Sequence, residues 1–181
     1  LPLTPDGAHV WRPFAPSAHV RCELEAAGWS WTGHGYFDAN FGTRALEADF
    51  DRWTWGRYPA RGGATCFYDA RRRDGSRLAS AFHFDASGRG HAIPLPRQHG
   101  FRRSLWGVRR DTRGDPAARP RQVMNMLDAP FYSRAMVETT LDGQPTIGVH
   151  EALDLRRFRQ PWLKPMLACR VPRRAGWSFG L

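Results

Sequence analysis

The feature that most constrains this chain is an alternation of apolar and polar residues at period two, in short runs cut by turn dipeptides. Successive strand residues point to opposite faces, so such runs predict half-buried strands rather than helices. Val20 to Glu25 alternates up to Ala26-Ala27-Gly28, Trp29 to Asp38 follows, and Leu46 to Arg57 contains Trp53-Thr54-Trp55. Ala64 to Arg72 and Arg77 to Phe84 flank Asp74-Gly75, while Tyr132 to Leu141 and Thr146 to Leu153 flank Asp142-Gly143. Asp-Gly is a strong hairpin signal, because the tight turns that match strand twist need positive φ. Leu105 to Arg110 and Arg121 to Leu127 read as further strands, and Pro/Gly clusters around 94–100 and 114–120 as loops.

After Leu153 the pattern changes. Asp154 is placed to cap a short helix through Arg159, stopped near Pro161. Residues 163–181 read as an irregular, basic, proline-broken tail. The expected fold class is all-β: roughly nine or ten antiparallel strands in a closed or nearly closed, lipocalin-like β-barrel. A short C-terminal helix and the irregular basic tail complete it, as a single domain over residues 1–181. Barrels of that size can enclose one small apolar ligand.

Hydrophobic residues at 41% and charged ones at 24% fit a chain with a real core and exclude disorder. No apolar run approaches the roughly 18 residues a membrane-spanning helix needs. Cys22, Cys66 and Cys169 form no CxxC pair, so neither a disulfide framework nor a zinc site is suggested, and a reducing, cytoplasmic setting fits best. No HExxH or similar metal motif, GxSxG, GxGxxG or Walker loop occurs, so neither metal nor cofactor is expected. The segment Leu1-Pro2-Leu3-Thr4-Pro5-Asp6-Gly7 has no initiator Met and no signal features; it reads like the middle of a longer chain, with position 1 a cut or processed end.

The net charge of +10 is lopsided: residues 1–90 carry 11 Arg against 10 acids, and 91–181 carry 15 Arg and Lys164 against 7. A basic half-chain points to nucleic acid, to an anionic membrane surface, or to the arginine bias of a GC-rich genome. Nucleic-acid signatures are missing, so no nucleic-acid partner is expected. The membrane option gains weight only if the substrate is lipophilic.

The richest segment for chemistry is Trp29 to Gly42. On a regular strand His34, Tyr36, Asp38 and Asn40 share one face, opposite Trp29, Trp31 and Phe37. By itself that is the pattern of any half-buried strand, with the polar row in solvent and the aromatic row buried. His9-Val10-Trp11 has the same two-residue spacing, and Trp53, Trp55 and Arg57 share a face that reads as core or as a cation–π support. In His150-Glu151, Phe131-Tyr132 and Tyr68-Asp69 the two members face opposite ways, so each pair reads as structural rather than as a dyad.

Gly33-His34-Gly35-Tyr36-Phe37-Asp38-Ala39-Asn40, then Ala45-Leu46-Glu47-Ala48-Asp49-Phe50 and Trp53-Thr54-Trp55-Gly56-Arg57, resembles the signature stretch of the carotenoid 1,2-hydratase (hydroxyneurosporene synthase) family. Asp128 to Arg134 and His150 to Phe158 resemble later segments of that family, in the same order. Phe37, where a His is common, and Phe41 depart from its pattern. Family members belong to a lipocalin-like superfamily that also holds barrel pericyclases, and they are longer, with an upstream β-rich part. The resemblance therefore implies the C-terminal catalytic portion of a cofactor-independent hydro-lyase of photosynthetic bacteria. It would add water across the terminal C1=C2 bond of an acyclic carotenoid such as neurosporene, lycopene or spheroidene, working in the cytoplasm at the periphery of the inner membrane.

The family's catalytic set maps onto His9, Trp11, Tyr36 and Asp38, and His34, Asn40, Trp53 and Trp55 are expected to touch substrate. In that scheme a buried, protonated Asp38 protonates carbon 2, the face of Trp11 stabilises the tertiary cation, and Tyr36 and His9 orient acid and water. Two other readings share the fold: a non-enzymatic carrier of carotenoid or lipid, and a barrel pericyclase or isomerase.

Overall fold

Both Asp-Gly dipeptides close hairpins. At Asp142-Gly143 both residues take positive φ, 51° and 73°, the conformation of a two-residue turn matched to strand twist. At Asp74-Gly75 the amide of Gly75 donates to the Arg72 carbonyl at 3.1 Å and Gly75 itself sits at φ 88°, a turn ended by a left-handed glycine. A computed structural model describes residues 1–168. Cys169 and the basic tail beyond it lie outside the described residues.

The strands are β1 (His9–Leu24), β2 (Trp29–Gly42), β3 (Phe50–Ala60), β4 (Gly63–Arg72), β5 (Arg77–Asp85), β6 (Gly90–Ala92), β7 (Arg97–Phe101), β8 (Arg110–Gly114), β9 (Arg121–Ala129), β10 (Tyr132–Leu141) and β11 (Gln144–Asp154). Two sequence expectations shift. Leu46–Asp49 is a single helical turn, α1, and the strand begins only at Phe50. Residues 105–109 lie in a turn and loop rather than a strand: the Gly107 amide donates to the Ser104 carbonyl, and pairing resumes at Arg110. The short helix after Asp154 forms over Leu155–Phe158 (α2), with Asp154 Oδ1 accepting from the Arg157 amide at 3.1 Å as the cap. The first residues of the expected irregular tail instead belong to a 3-10 helix, Pro161–Ala168, that buries Leu163.

Seven strands form one antiparallel sheet in the order β6-β5-β4-β3-β11-β10-β9. β1 and β2 form a long separate ribbon, and β7 and β8 a short one. The architecture is the expected all-β, antiparallel, lipocalin-like class. Among the described residues the large sheet remains open at β6 and β9, so its hydrogen bonding does not close a barrel.

Both faces of the sheet's middle are covered, which explains why β3 is buried continuously from Trp53 to Tyr58 instead of at alternate positions. One face carries Trp53, Trp55, Cys66, Tyr68, Ala70 and Phe84, and packs against Leu3, Trp11 and Tyr36 on the side of the long ribbon. The other carries Tyr58, Phe67 and Ala81 and meets β8, where Thr112 bonds the Tyr58 hydroxyl at 2.8 Å and Arg113 forks onto Asp69 at 2.5 and 2.9 Å. Arg110 and Arg113 are buried and held by protein acceptors. Part of the positive charge of the second half of the chain is therefore internal wiring.

Candidate active site between the ribbon and the sheet

Period two in the sheet lines up one row of side chains across four strands. Cross-strand register pairs Arg134 (β10) with Glu151 (β11), Glu151 with Trp55 (β3), and Trp55 with Tyr68 (β4). Directly paired residues share a face, so this row runs from a cation through a carboxylate to two aromatic rings. Above it lies β2, whose inward residues are Tyr36 and Asp38. Tyr36, Asp38, Asn40, Trp53, Trp55, Tyr68 and Glu151 line a small pocket of about 40 Å³, partly open to solvent.

Orientation of the ribbon reverses the simple expectation for a half-buried strand. Trp29, Trp31 and Phe37 face outward, with Phe37 61% exposed, while Tyr36 and Asp38 face the sheet. Tyr36, Asp38 and Asn40 of the polar row of β2 line the pocket, and the aromatic row lies outside.

Asp38 sits diagonally across the ribbon from Trp11, whose own partner is Asn40. The Trp11 indole N–H donates to Asp38 Oδ2 at 2.7 Å. Burial pushes the Asp38 carboxyl above the usual carboxylate range; the Trp11 hydrogen bond and the charge of Arg134 oppose that shift without cancelling it. Tyr36 stacks obliquely on Trp55, centroids 5.0 Å apart, and lies 5.6 Å beneath the Arg57 guanidinium. Its hydroxyl accepts from Arg134 Nη2 at 3.2 Å, and burial raises its pKa to about 12, so it stays a neutral phenol. Asn40 accepts from the Tyr68 hydroxyl at 3.2 Å.

Of the eight residues singled out from sequence, Tyr36, Asp38, Asn40, Trp53 and Trp55 line the pocket. Trp11 stands behind the wall: its rings are buried against Tyr68, Phe82 and Phe84, and its N–H reaches Asp38. That makes it a holder of the carboxyl rather than an open π face. His9 points elsewhere. Its Nε2 bonds Asp49 Oδ2 at 2.7 Å and its ring meets Phe50 edge-on, which ties β1 to the turn before β3. His34 is exposed and is not part of the pocket wall.

Glu151 was not legible as a site residue. It faces the pocket while its neighbour His150 faces β8, where His150 Nε2 donates to the Asp111 carbonyl at 2.8 Å. Glu151 lies 3.5 Å from Arg134 Nε and accepts from the Tyr132 hydroxyl. Burial nevertheless pushes its carboxyl up, and the nearby Asp38 carboxyl adds to that. The signal that could have found it is strand parity combined with pairing, since Glu151 falls opposite Trp55. Among the described residues no group of three or more His, Cys, Asp or Glu is placed to hold a metal ion.

The sequence profile of the family described as "Carotenoid hydratase CrtC" matches residues 1–180. The chain belongs to the carotenoid hydratase CrtC family. It is 67% identical, over 98% of its length, to an acyclic carotenoid 1,2-hydratase of Cereibacter sphaeroides, and 58% identical, over 97%, to one of Rhodobacter capsulatus. It spans 63% of the length of each of these relatives. A solved structure described as an AttH of Nitrosomonas europaea superposes with a TM-score of 0.57 at 19% identity, covering 84% of this chain and 54% of that one. At that identity the likeness concerns the fold alone.

Proposed function

We propose that this family member carries the active site of an acyclic carotenoid 1,2-hydratase, with Asp38 as the proton donor. The observation that supports the reading most is Asp38 itself: a carboxyl held by an indole N–H in a small aromatic pocket, its pKa raised by burial. Water does not attack an isolated trisubstituted alkene unaided. The feasible order is protonation of carbon 2, a tertiary cation at carbon 1, then capture by water. A carboxylic acid can begin this near neutral pH only if burial keeps it protonated.

The pocket is small and partly open, so it would take the end of a polyene rather than its whole length. Trp53 and Trp55 line the same pocket, and an aromatic face turned to the cation there would be worth about 2 kcal/mol when desolvated. Trp11 holds Asp38 from behind, and His9 secures the strand that carries Trp11. The route moves only protons and water, so it calls on no cofactor or metal. Phe14, Phe37 and Phe41 cluster on the outer face of the ribbon, Phe14 stacked on Phe37 at 5.2 Å. An exposed aromatic cluster near Arg12, whose strand partner Ala39 lies between Phe37 and Phe41, fits peripheral docking on a bilayer, where such a polyene dissolves. Among the described residues no helix is long and apolar enough to cross a membrane.

The test is product analysis after incubation of Asp38→Asn and the unaltered full chain with lycopene. Loss of the tertiary alcohol by about a hundredfold or more is expected for the variant. An unaltered rate removes Asp38 from the acid role. Bound, unchanged pigment with the native chain favours a carrier, and a cyclised product favours an isomerase.

A further inference from the structure

We propose that Glu151 is the general base of the same reaction, taking a proton from the water that captures the carbon-1 cation. The inference rests on the reading of Asp38 as the acid, and it assigns the second half of the chemistry to a residue on the opposite wall of the pocket.

The geometry has three parts. Asp38 approaches from the ribbon and Glu151 from the sheet, so the two carboxyls border one small space from different sides. Their partners differ in kind. Glu151 stands beside the Arg134 guanidinium and accepts from the Tyr132 hydroxyl, both of which favour a carboxylate. Asp38 Oδ2 accepts from a neutral indole N–H. Two carboxyls that feel each other in a shared, poorly solvated site do not both ionise readily; Arg134 acts on both but stands in ion-pair range of Glu151, which makes Glu151 the better placed of the two to hold the charge. Finally, the pocket wall is equipped for a polar guest. The buried indole N–H groups of Trp53 and Trp55, two residues of the same wall, have no acceptor among the described residues.

The steps balance. The Asp38 O–H bond breaks as the alkene π pair forms the new C2–H bond, leaving Asp38 ionised and a tertiary cation at carbon 1. A water lone pair forms the C1–O bond, and the Glu151 carboxylate accepts one water proton. The products are the tertiary alcohol, a protonated Glu151 and an ionised Asp38. Return of that proton from Glu151 to Asp38, through water in the pocket, restores the starting state with no net change in the protein.

Base and acid roles separate in heavy water. The full chain and its Glu151→Gln, Glu151→Asp and Asp38→Asn variants are incubated in D₂O with lycopene in phosphatidylcholine vesicles. Alcohol formation and deuterium at carbon 2 of recovered lycopene are then measured by mass spectrometry. Glu151→Gln should lower alcohol formation by about a hundredfold or more while still placing deuterium in recovered substrate, because Asp38 continues to protonate and reclaim carbon 2. Asp38→Asn should lose both. Full-rate hydration by Glu151→Gln overturns the base assignment and leaves Asp38 standing. Loss of both signals in a folded Glu151→Gln also overturns it. Retention of both by Asp38→Asn removes the acid reading on which the inference rests. Should Glu151→Gln fail to fold, Glu151→Asp carries the test: slower hydration with exchange retained supports the role, and any other outcome refutes it.

Discussion

Replacing Trp11 by Phe separates what the indole N–H does from what the ring does. The N–H donates to Asp38 Oδ2 at 2.7 Å, and the side chain is 1% exposed. A hydrogen bond to a charged acceptor contributes about 1.5–3 kcal/mol and one to a neutral acceptor about 0.5–1.5 kcal/mol. The N–H therefore favours ionised over protonated Asp38 by about 1–1.5 kcal/mol, which is about one pKa unit. Burial has already raised the Asp38 pKa, and Trp11 is the first of the opposing influences. Its removal moves the pKa further up, so the acid survives to higher pH. The alkaline limb of kcat/KM, which reports the free enzyme, should shift upward by about one pH unit in Trp11→Phe. Stability should fall by about 2 kcal/mol from the missing ring atoms and the space they leave among Tyr68, Phe82 and Phe84. The assay is a pH series of hydration rates with lycopene in phosphatidylcholine vesicles, with urea unfolding alongside. A limb that stays in place or moves down refutes the idea that the Trp11 N–H tunes Asp38.

Burial lowers the pKa of His150 to about 4 from an ordinary 6.5. Its contribution to stability is therefore fully present above about pH 6.5 and is lost as pH falls towards 4, about 3 kcal/mol in all. Urea unfolding at pH 7 and pH 4.5 should show His150→Gln losing less stability between them than the native chain, and equal losses would refute the assignment. For membrane docking, a Phe14→Ser, Phe37→Ser, Phe41→Ser triple variant should float less with vesicles containing anionic lipid than the native chain does. Equal flotation, or binding indifferent to salt and anionic lipid, would sink that reading.

Much of the fold was legible because its signals are local. Tyr132 to Leu141 forms the strand read from alternation, and both Asp-Gly turns close hairpins. Asp154 caps the short helix as its side-chain chemistry suggests. Leu46–Asp49 escaped because the run into Phe50 alternates too weakly to mark where a single turn of helix ends and the strand starts. Residues 105–109 escaped because apolar Leu105 and Trp106 imitate a strand end, yet lie exposed in a turn. Of the proposed site, Tyr36 and Asp38 were legible as a pair on one face. The tasks of Trp11 and His9 were not, since their bonds to Asp38 and Asp49 join residues far apart in sequence.

The sequence alone determined which side chains travel together. A strand reverses direction at every residue, so Tyr36 and Asp38 had to share a face, and Glu151 had to turn away from His150. It could not determine which face looks inward, because alternation is symmetric between the two sides until something packs against one of them. Tertiary structure decided that. The aromatic face of the large sheet took the polar side of the ribbon as its cover, leaving Phe37 outside and Asp38 within. Cross-strand register then set Glu151 opposite Trp55. Two carboxyls from distant parts of the chain meet in one pocket for that reason, and burial there raises both pKa values.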